Sequence, residues 1–359
     1  MKNFRNTNIS LPLTYFLIVI VGFLALYSAS FGKGKIDNAE YISHQLVWII
    51  LSLVAIVSML IIGYRRLLDF SYVLYAFGIL LLIYVILVAQ PRLGAGRWVS
   101  FVGINIQPSE LMKLIFILTL ARFLSAYKYQ ENGIKCVFIV LALTGLPVLL
   151  IIMQPDLGTA LVFIPVAFSM LYVWGFRLRY IIVMFISAIA ASPFLWFLLK
   201  DYQKSRLMVF INPNADPLGS GYTIIQSKIA IGSGGFFGKG WLSGTQSQLN
   251  FLPEHHTDFI FSGIGEEWGF LGALLILFLF YFLIIQGLDI ATHASSMSKR
   301  LLATGVCVLI AMQVIINICM CIGLMPVVGL PLPYISYGGS AMIVFSVLIG
   351  ILFNIKFEA

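Results

Sequence analysis

The sequence predicts an all-α, polytopic integral membrane protein: one domain over residues 1–359, with ten transmembrane helices and a single long external loop. Three observations predict it. The 359 residues are 60% hydrophobic and 10% charged, with a mean hydropathy of +1.01, far from the balance of a soluble domain. Ten apolar runs have the length of about 20 residues that crosses roughly 30 Å of hydrocarbon; they lie near 11–30, 45–63, 70–89, 107–125, 134–153, 158–174, 180–198, 259–288, 301–324 and 336–354. Basic residues, finally, gather on one side of those runs.

The first run follows Lys2 and Arg5 and ends in ALYSAS (25–30), features shared with a cleaved leader. It is longer than a leader's apolar core and nine further runs follow, so it reads as an uncleaved anchor. The second and third runs flank Arg65 and Arg66, and the fourth carries Glu110 and Lys113 inside it. The fifth and sixth are separated by QPDLG (154–158). The seventh follows Arg177 and Arg179, the eighth follows Thr257 and Asp258, and the ninth follows Lys299 and Arg300. An even number of spans puts both termini on one side. With the N-terminus in the cytoplasm, 12 of the 22 lysines and arginines fall in or beside short cytoplasmic connections, as the positive-inside rule requires. Five of the external ones sit in one long loop, where they weigh little in that rule.

The net charge of +8 reflects this bias in large part, and no nucleic-acid partner is expected. Cys136, Cys307, Cys319 and Cys321 all fall in or beside apolar runs, so they read as buried hydrophobes rather than as a disulfide framework or a zinc site.

Residues 199–257 form the long external loop. Tyr202, Phe210, Tyr222, Ile224, Ile225, Phe236, Phe237, Trp241 and Phe251 make it unlike a disordered tract, and it is expected to fold back on the membrane surface. Within it GYTIIQSKIAIGSGG (221–235) reads as a short helix ended by glycine. The run GSGGFFGKG (232–240) departs from the phosphate-binding loop pattern at Ser233 and Gly240 and reads as a flexible loop facing lipid or covering a substrate. No inverted repeat is evident.

Several charges need an explanation. Glu110 and Lys113 are three residues apart, so they share a helix face and can form a structural ion pair. Asp156 precedes a span, where it can cap the helix or serve a site. Asp258 opens the eighth run; Ser262, Gly265, Glu266 and Gly269 recur after it on one face that is polar or small, along which a cleft could run. Glu266 would lie about 12 Å deeper than Asp258 on that helix. His255 and His256 are adjacent, which on a helix turns them roughly 100° apart and disfavours a shared metal ion. Lys204, Arg206, Lys239, Arg92 and Arg97 lie on the same external side as Asp258. They can hold a phosphate or pyrophosphate, or meet anionic headgroups. Together with an aspartate at a lipid-facing cleft they suggest an anionic lipid substrate.

The stretches GRWVSFVGINIQPSELMKL (96–114), QPDLGTAL (154–161), RLMVFINPNADPLGSGYTIIQSKIAIGSGGFFGKGW (206–241), FLPEHHTDFIFSGIGEEWGFLG (251–272) and GLMPVVGLPLPYISYGGSAMIVFSVLIG (323–350) resemble the SEDS family of bacterial cell-wall glycosyltransferases. NFLPEHHTDFIF and GLPLPYISYGGS resemble its rod-shape branch. The resemblance implies a ten-helix protein of the bacterial inner membrane that polymerises the lipid-linked precursor lipid II on the outer face. It also implies a complex with a class B penicillin-binding protein, a transpeptidase, and with other membrane proteins of the elongation complex. Carried over by motif, the family's essential aspartate falls on Asp258, its second cavity aspartate on Asp156, and the Arg-Trp of its first external motif on Arg97 and Trp98. The family often has two arginines there, where this chain has Gly96 and Arg97.

A pyrophosphate leaves without an acid if cations meet its charge, unlike the sugar leaving group of a glycosidase, so one base suffices. Asp258 is expected to be that general base. Asp156, Arg97, Lys204, Arg206, Lys239 and Glu266 are expected to bind substrate, with or without a divalent cation, Mg2+ or Mn2+. Two other readings stay open at this point: a lipid II flippase using Glu110, Lys113 and Glu266 along a headgroup path, and a non-catalytic scaffold of the cell-wall synthesis complex.

Overall fold

A computed structural model describes residues 9–30, 38–88, 99–101, 104–195, 197, 201–217, 219, 221–249 and 251–358. The first three apolar runs form α1 (Ser10–Ser30), α2 (Asn38–Ile62) and, after the short α3 (Tyr64–Asp69), α4 (Ser71–Val88). Then come α5 (Pro108–Ala126), α6 (Tyr129–Met153), α7 (Leu157–Trp174) and α8 (Leu178–Leu195). The long loop carries α9 (Asp201–Ile211), α10 (Tyr222–Gly234) and α11 (Thr245–Gln248), and the chain ends in α12 (Ile260–Thr292), α13 (Met297–Cys321) and α14 (Gly339–Phe357).

Among the described residues, 8 helices are long and apolar enough to cross a membrane: α1, α2, α4, α6, α7, α12, α13 and α14. The other two expected spans coincide with α5, which carries Glu110, Lys113 and Arg122, and with α8, of which Leu178–Ser187 is described as apolar helix. A count of ten rests on those two helices. One element departs from the all-α expectation: β1 (Val99–Phe101) and β2 (Ile104–Ile106) form an antiparallel ribbon with Val99 opposite Ile106. Its β-branched and aromatic residues favour extended pairing, and Pro108, at the start of α5, begins the next helix where a missing N–H costs nothing.

The bundle is built around α13, 78% of whose apolar window is buried, against 22% for α2 and α4 at the rim. It packs against α5, α7, α12 and α14. Rim helices keep large apolar side chains such as Ile61 and Leu87 exposed, as a lipid-facing surface must.

At 33 residues α12 is about 50 Å long, and it breaks at Gly269, whose φ of 63° and ψ of −158° are non-helical. That break frees four backbone groups that an uninterrupted helix would pair with each other. The loop after α10 takes them up: Lys239 N–H donates to Glu266 O at 3.0 Å and Gly240 N–H to Glu267 O at 3.0 Å, while Phe270 N–H and Leu271 N–H donate to Gly235 O and Phe236 O at 3.0 and 3.3 Å. Irregular backbone at membrane depth is tolerated only when satisfied in this way. The glycine-rich run is therefore a fitted patch on the α12 break, not a flexible cover. Gly238 is needed there because a Cβ at its φ of +83° would fall 2.1 Å from Glu267 O.

The small face of α12 is likewise not an open cleft. Ser262 hydrogen-bonds Ser227 of α10 at 2.7 Å, Gly265 lies under Ile231, and a Cβ on Gly234 would sit 2.0 Å from Gly265 O. Small residues permit close approach of two helices, and here they seat α10.

Candidate active site

Asp258 lies on the turn that precedes α12, one residue before its N-cap Phe259, and so off the helix face on which the sequence placed it. The turn is held by Glu254, whose φ is +50° and whose carbonyl accepts from the N–H of Thr257 and of Phe259, each at 3.2 Å. Asp258 is half-buried. Its main-chain carbonyl accepts from the Asn317 side-chain amide at 2.8 Å and from Cys321 Sγ at 3.6 Å. Its carboxylate faces Gly329, where a Cβ would lie 3.3 Å from Oδ2 at a backbone φ of +72°.

Gly329 belongs to the segment 323–338 between α13 and α14, which is irregular yet buried at Leu330, Leu332, Tyr334, Ile335 and Ser336. Such backbone needs partners, and side chains supply them. Leu330 O accepts from Asn317 Nδ2 at 2.7 Å and Pro331 O from Gln313 Nε2 at 3.0 Å. Leu332 N–H donates to Ser336 Oγ, which donates to Thr257 O at 2.6 Å, and Tyr337 N–H donates to His256 O at 3.0 Å. Tyr334, bulky and at a φ of +64°, is held in that costly conformation by its hydroxyl on Phe345 O at 2.9 Å. The Asp258 turn and segment 323–338 thus form one hydrogen-bonded unit.

Glu110 and Lys113 meet at 2.6 Å, both fully buried. Lys113 Nζ also donates to Gln313 Oε1 at 2.8 Å and stands 5.5 Å from the Phe345 ring centroid. Through Gln313 the ion pair reaches Pro331. Neither Gln313 nor Asn317 was singled out in the sequence, although two amides four residues apart within an apolar run are a signal that polar groups at membrane depth have work to do.

Asp156 caps α7: it accepts from Thr159 N–H at 3.2 Å, from Thr159 Oγ1 at 2.9 Å and from Gln107 Nε2 at 3.3 Å. The start of α7 also meets segment 323–338, since Gly158 packs on Val328 and Leu330. Gln107 N–H in turn donates to Ser340 Oγ at 3.3 Å. The N-termini of α5, α7, α12 and α14 therefore converge around this segment, and helix N-termini favour anions.

The basic candidates divide. Arg206 Nη1 donates to Val327 O at 3.0 Å, at the edge of the unit. Lys204, two residues away on α9, points about 200° round the helix and does not join it there. Lys228 of α10, which the sequence reading did not choose, lies over Gly323, where a Cβ would meet its Nζ at 2.6 Å. Lys239 and Glu266 bind each other at 2.7 Å. Glu266, fully buried, further accepts from Thr245 N–H at 2.8 Å and Gln246 N–H at 3.1 Å. Both therefore fasten the loop around α11 rather than open onto a cleft. Beside them Glu267 accepts from Ser28 Oγ at 2.6 Å, tying α1 to α12. Arg97, Trp98 and Arg92 lie outside the described residues.

The ring nitrogens of His255 lie 2.9 and 3.1 Å from Leu252 O and Ala29 O, and the His256 ring lies tilted against that of Tyr41. Among the described residues no three His, Cys, Asp or Glu side chains are placed together to hold a metal ion.

Fold and site define a polytopic helical membrane protein with a half-buried carboxylate at the end where four helix N-termini meet. The chain matches the family described as cell cycle protein, FtsW/RodA/SpoVE, over residues 8–359, and it belongs to that family. It is similar to the peptidoglycan glycosyltransferase MrdB of Escherichia coli (strain K12), 45% identical over 283 residues, which cover 79% of this chain and 76% of that one. Its fold is similar to a chain of a peptidoglycan synthase complex that coordinates polymerization and crosslinking, with a TM-score of 0.83, 31% identity and 99% of each chain covered. It is also similar to the rod shape determining protein RodA of Thermus thermophilus, with a TM-score of 0.72, 28% identity and coverage of 99% and 98%.

Proposed function

We propose that this chain is a peptidoglycan glycosyltransferase of cell elongation that polymerises lipid II into glycan strands, with Asp258 as general base and undecaprenyl pyrophosphate as leaving group. The observation that carries the reading is the Asp258 carboxylate, half-buried and set close against the backbone of Gly329, where helix N-termini converge. Asp258 takes the proton of the acceptor's sugar hydroxyl as that oxygen attacks the anomeric carbon of the donor. The new glycosidic C–O bond forms with inversion as the bond from that carbon to pyrophosphate breaks. Arg206 and Lys228, at the edge of segment 323–338, and the helix N-termini around it meet the charge of the departing group, with Arg97 as a further cation for the same task.

The reading places the protein as a multi-pass component of the bacterial inner membrane, with both termini cytoplasmic and the Asp258 side external, in complex with a class B penicillin-binding protein. The similarity to a chain of a synthase complex supports such a partner. Burial of Glu110 and Lys113 on each other offers no headgroup path and speaks against a flippase. The test is purified protein in detergent with lipid II and no second polymerase, with and without the transpeptidase. Glycan strands are expected, and their absence in both mixtures would refute the assignment.

A further inference from the structure

We propose that Asn317 is the residue that positions Asp258 for catalysis, and that Gln313, one turn earlier on α13, holds the facing wall of the same site; this rests on Asp258 being the base. Both amides are fully buried at membrane depth in α13, where an amide left without partners is costly. Asn317 Nδ2 has two protons to place, and it places them on Asp258 O at 2.8 Å and Leu330 O at 2.7 Å. Two acceptors on one planar nitrogen stand about 5 Å apart. A single side chain thus sets the distance between the turn that carries the base and the strand of backbone that faces it. Because Gly329 immediately precedes Leu330, that distance also fixes Gly329 against Asp258 Oδ2.

Gln313 extends the arrangement. It holds the next carbonyl, that of Pro331, at 3.0 Å, and is itself held by Lys113 at 2.8 Å. Successive carbonyls of the buried segment are therefore indexed to successive turns of α13, and the Glu110–Lys113 pair anchors the deeper one. Asn317 bonds the Asp258 backbone rather than its carboxylate, so it acts through Asp258 as a positioning residue.

The test is a double-mutant cycle in the lipid II polymerisation assay. Asn317→Ala is expected to lower kcat by about 10–10²-fold, the effect of a displaced reacting group, with KM within about 3-fold. In the Asp258→Asn background the same substitution is expected to change the residual rate by less than about 3-fold, because there is no base left to position. Asn317→Gln keeps a donor amide and, should Asn317→Ala fail to fold, carries the same cycle with a smaller loss. Equal losses in both backgrounds, or an unchanged kcat in Asn317→Ala, would overturn the positioning role. An Asp258→Asn protein at the wild-type rate would overturn the base itself, and with it the reason for positioning.

Discussion

The side-chain amide of Asn317 and the main-chain carbonyl of Asp258 meet at 2.8 Å across 59 residues of sequence. This contact joins the turn before one membrane helix to the C-terminal end of another, and because the same amide holds Leu330, it ties the Asp258 turn to the backbone that faces it. The proposed mechanism makes function depend on buried groups that act through Asp258, and variants at such groups separate structural from chemical roles.

Glu110→Gln is expected to lower thermal stability and activity together, because it leaves Lys113 buried with its carboxylate partner removed; breaking one half of a buried pair costs about 3–5 kcal/mol. Adding Lys113→Met should recover part of the stability. A Glu110→Gln protein as stable as the wild type yet inactive would move the pair from structure to substrate handling.

Glu266→Ala strips the anchor from Lys239 and from the N–H groups of Thr245 and Gln246. The loss should be about 1.5–3 kcal/mol, the worth of hydrogen bonds to a charged group, read as a lower melting temperature and faster hydrogen exchange over 242–249. Lys239→Ala should cost less, since its side chain is 27% exposed and that of Glu266 0%. Unchanged melting with lost lipid II binding would return Glu266 to the substrate site.

The expected topology puts 199–257 outside. Cysteine introduced at exposed Asn214 should react with an impermeant reagent on intact cells, and cysteine at exposed Ser295 only after permeabilisation. Ser247 belongs to the same loop but is 2% exposed, which makes it a poor reporter. The reverse labelling pattern would invert the orientation.

How far the sequence reaches can be seen at particular residues. Membrane helices are legible because hydrocarbon demands long apolar runs, and α10 is legible because glycines end it. Periodicity puts Ser262, Gly265 and Glu266 on one face, but cannot say what opposes that face; a cleft and a seat for α10 need the same small residues. Segment 323–338 is opaque for another reason: its irregular backbone is held by Gln313 and Asn317 and is tied through Ser336 to Thr257, at distances in sequence that no local pattern encodes. Asp258 could be chosen for its place in a motif, whereas its position on a turn and its contact with Gly329 required the fold.

The most direct measurement is the rate at which purified Asp258→Asn protein polymerises lipid II. Asparagine keeps the size of the side chain and leaves the main-chain bond to Asn317 in place, so the variant should fold, bind lipid II and enter its complex. It cannot accept the acceptor's proton, and turnover should fall by about 10²–10⁴-fold, about 2.7–5.4 kcal/mol of transition-state stabilisation. Polymerisation close to the wild-type rate would contradict the assignment and make Asp156 the next residue to replace.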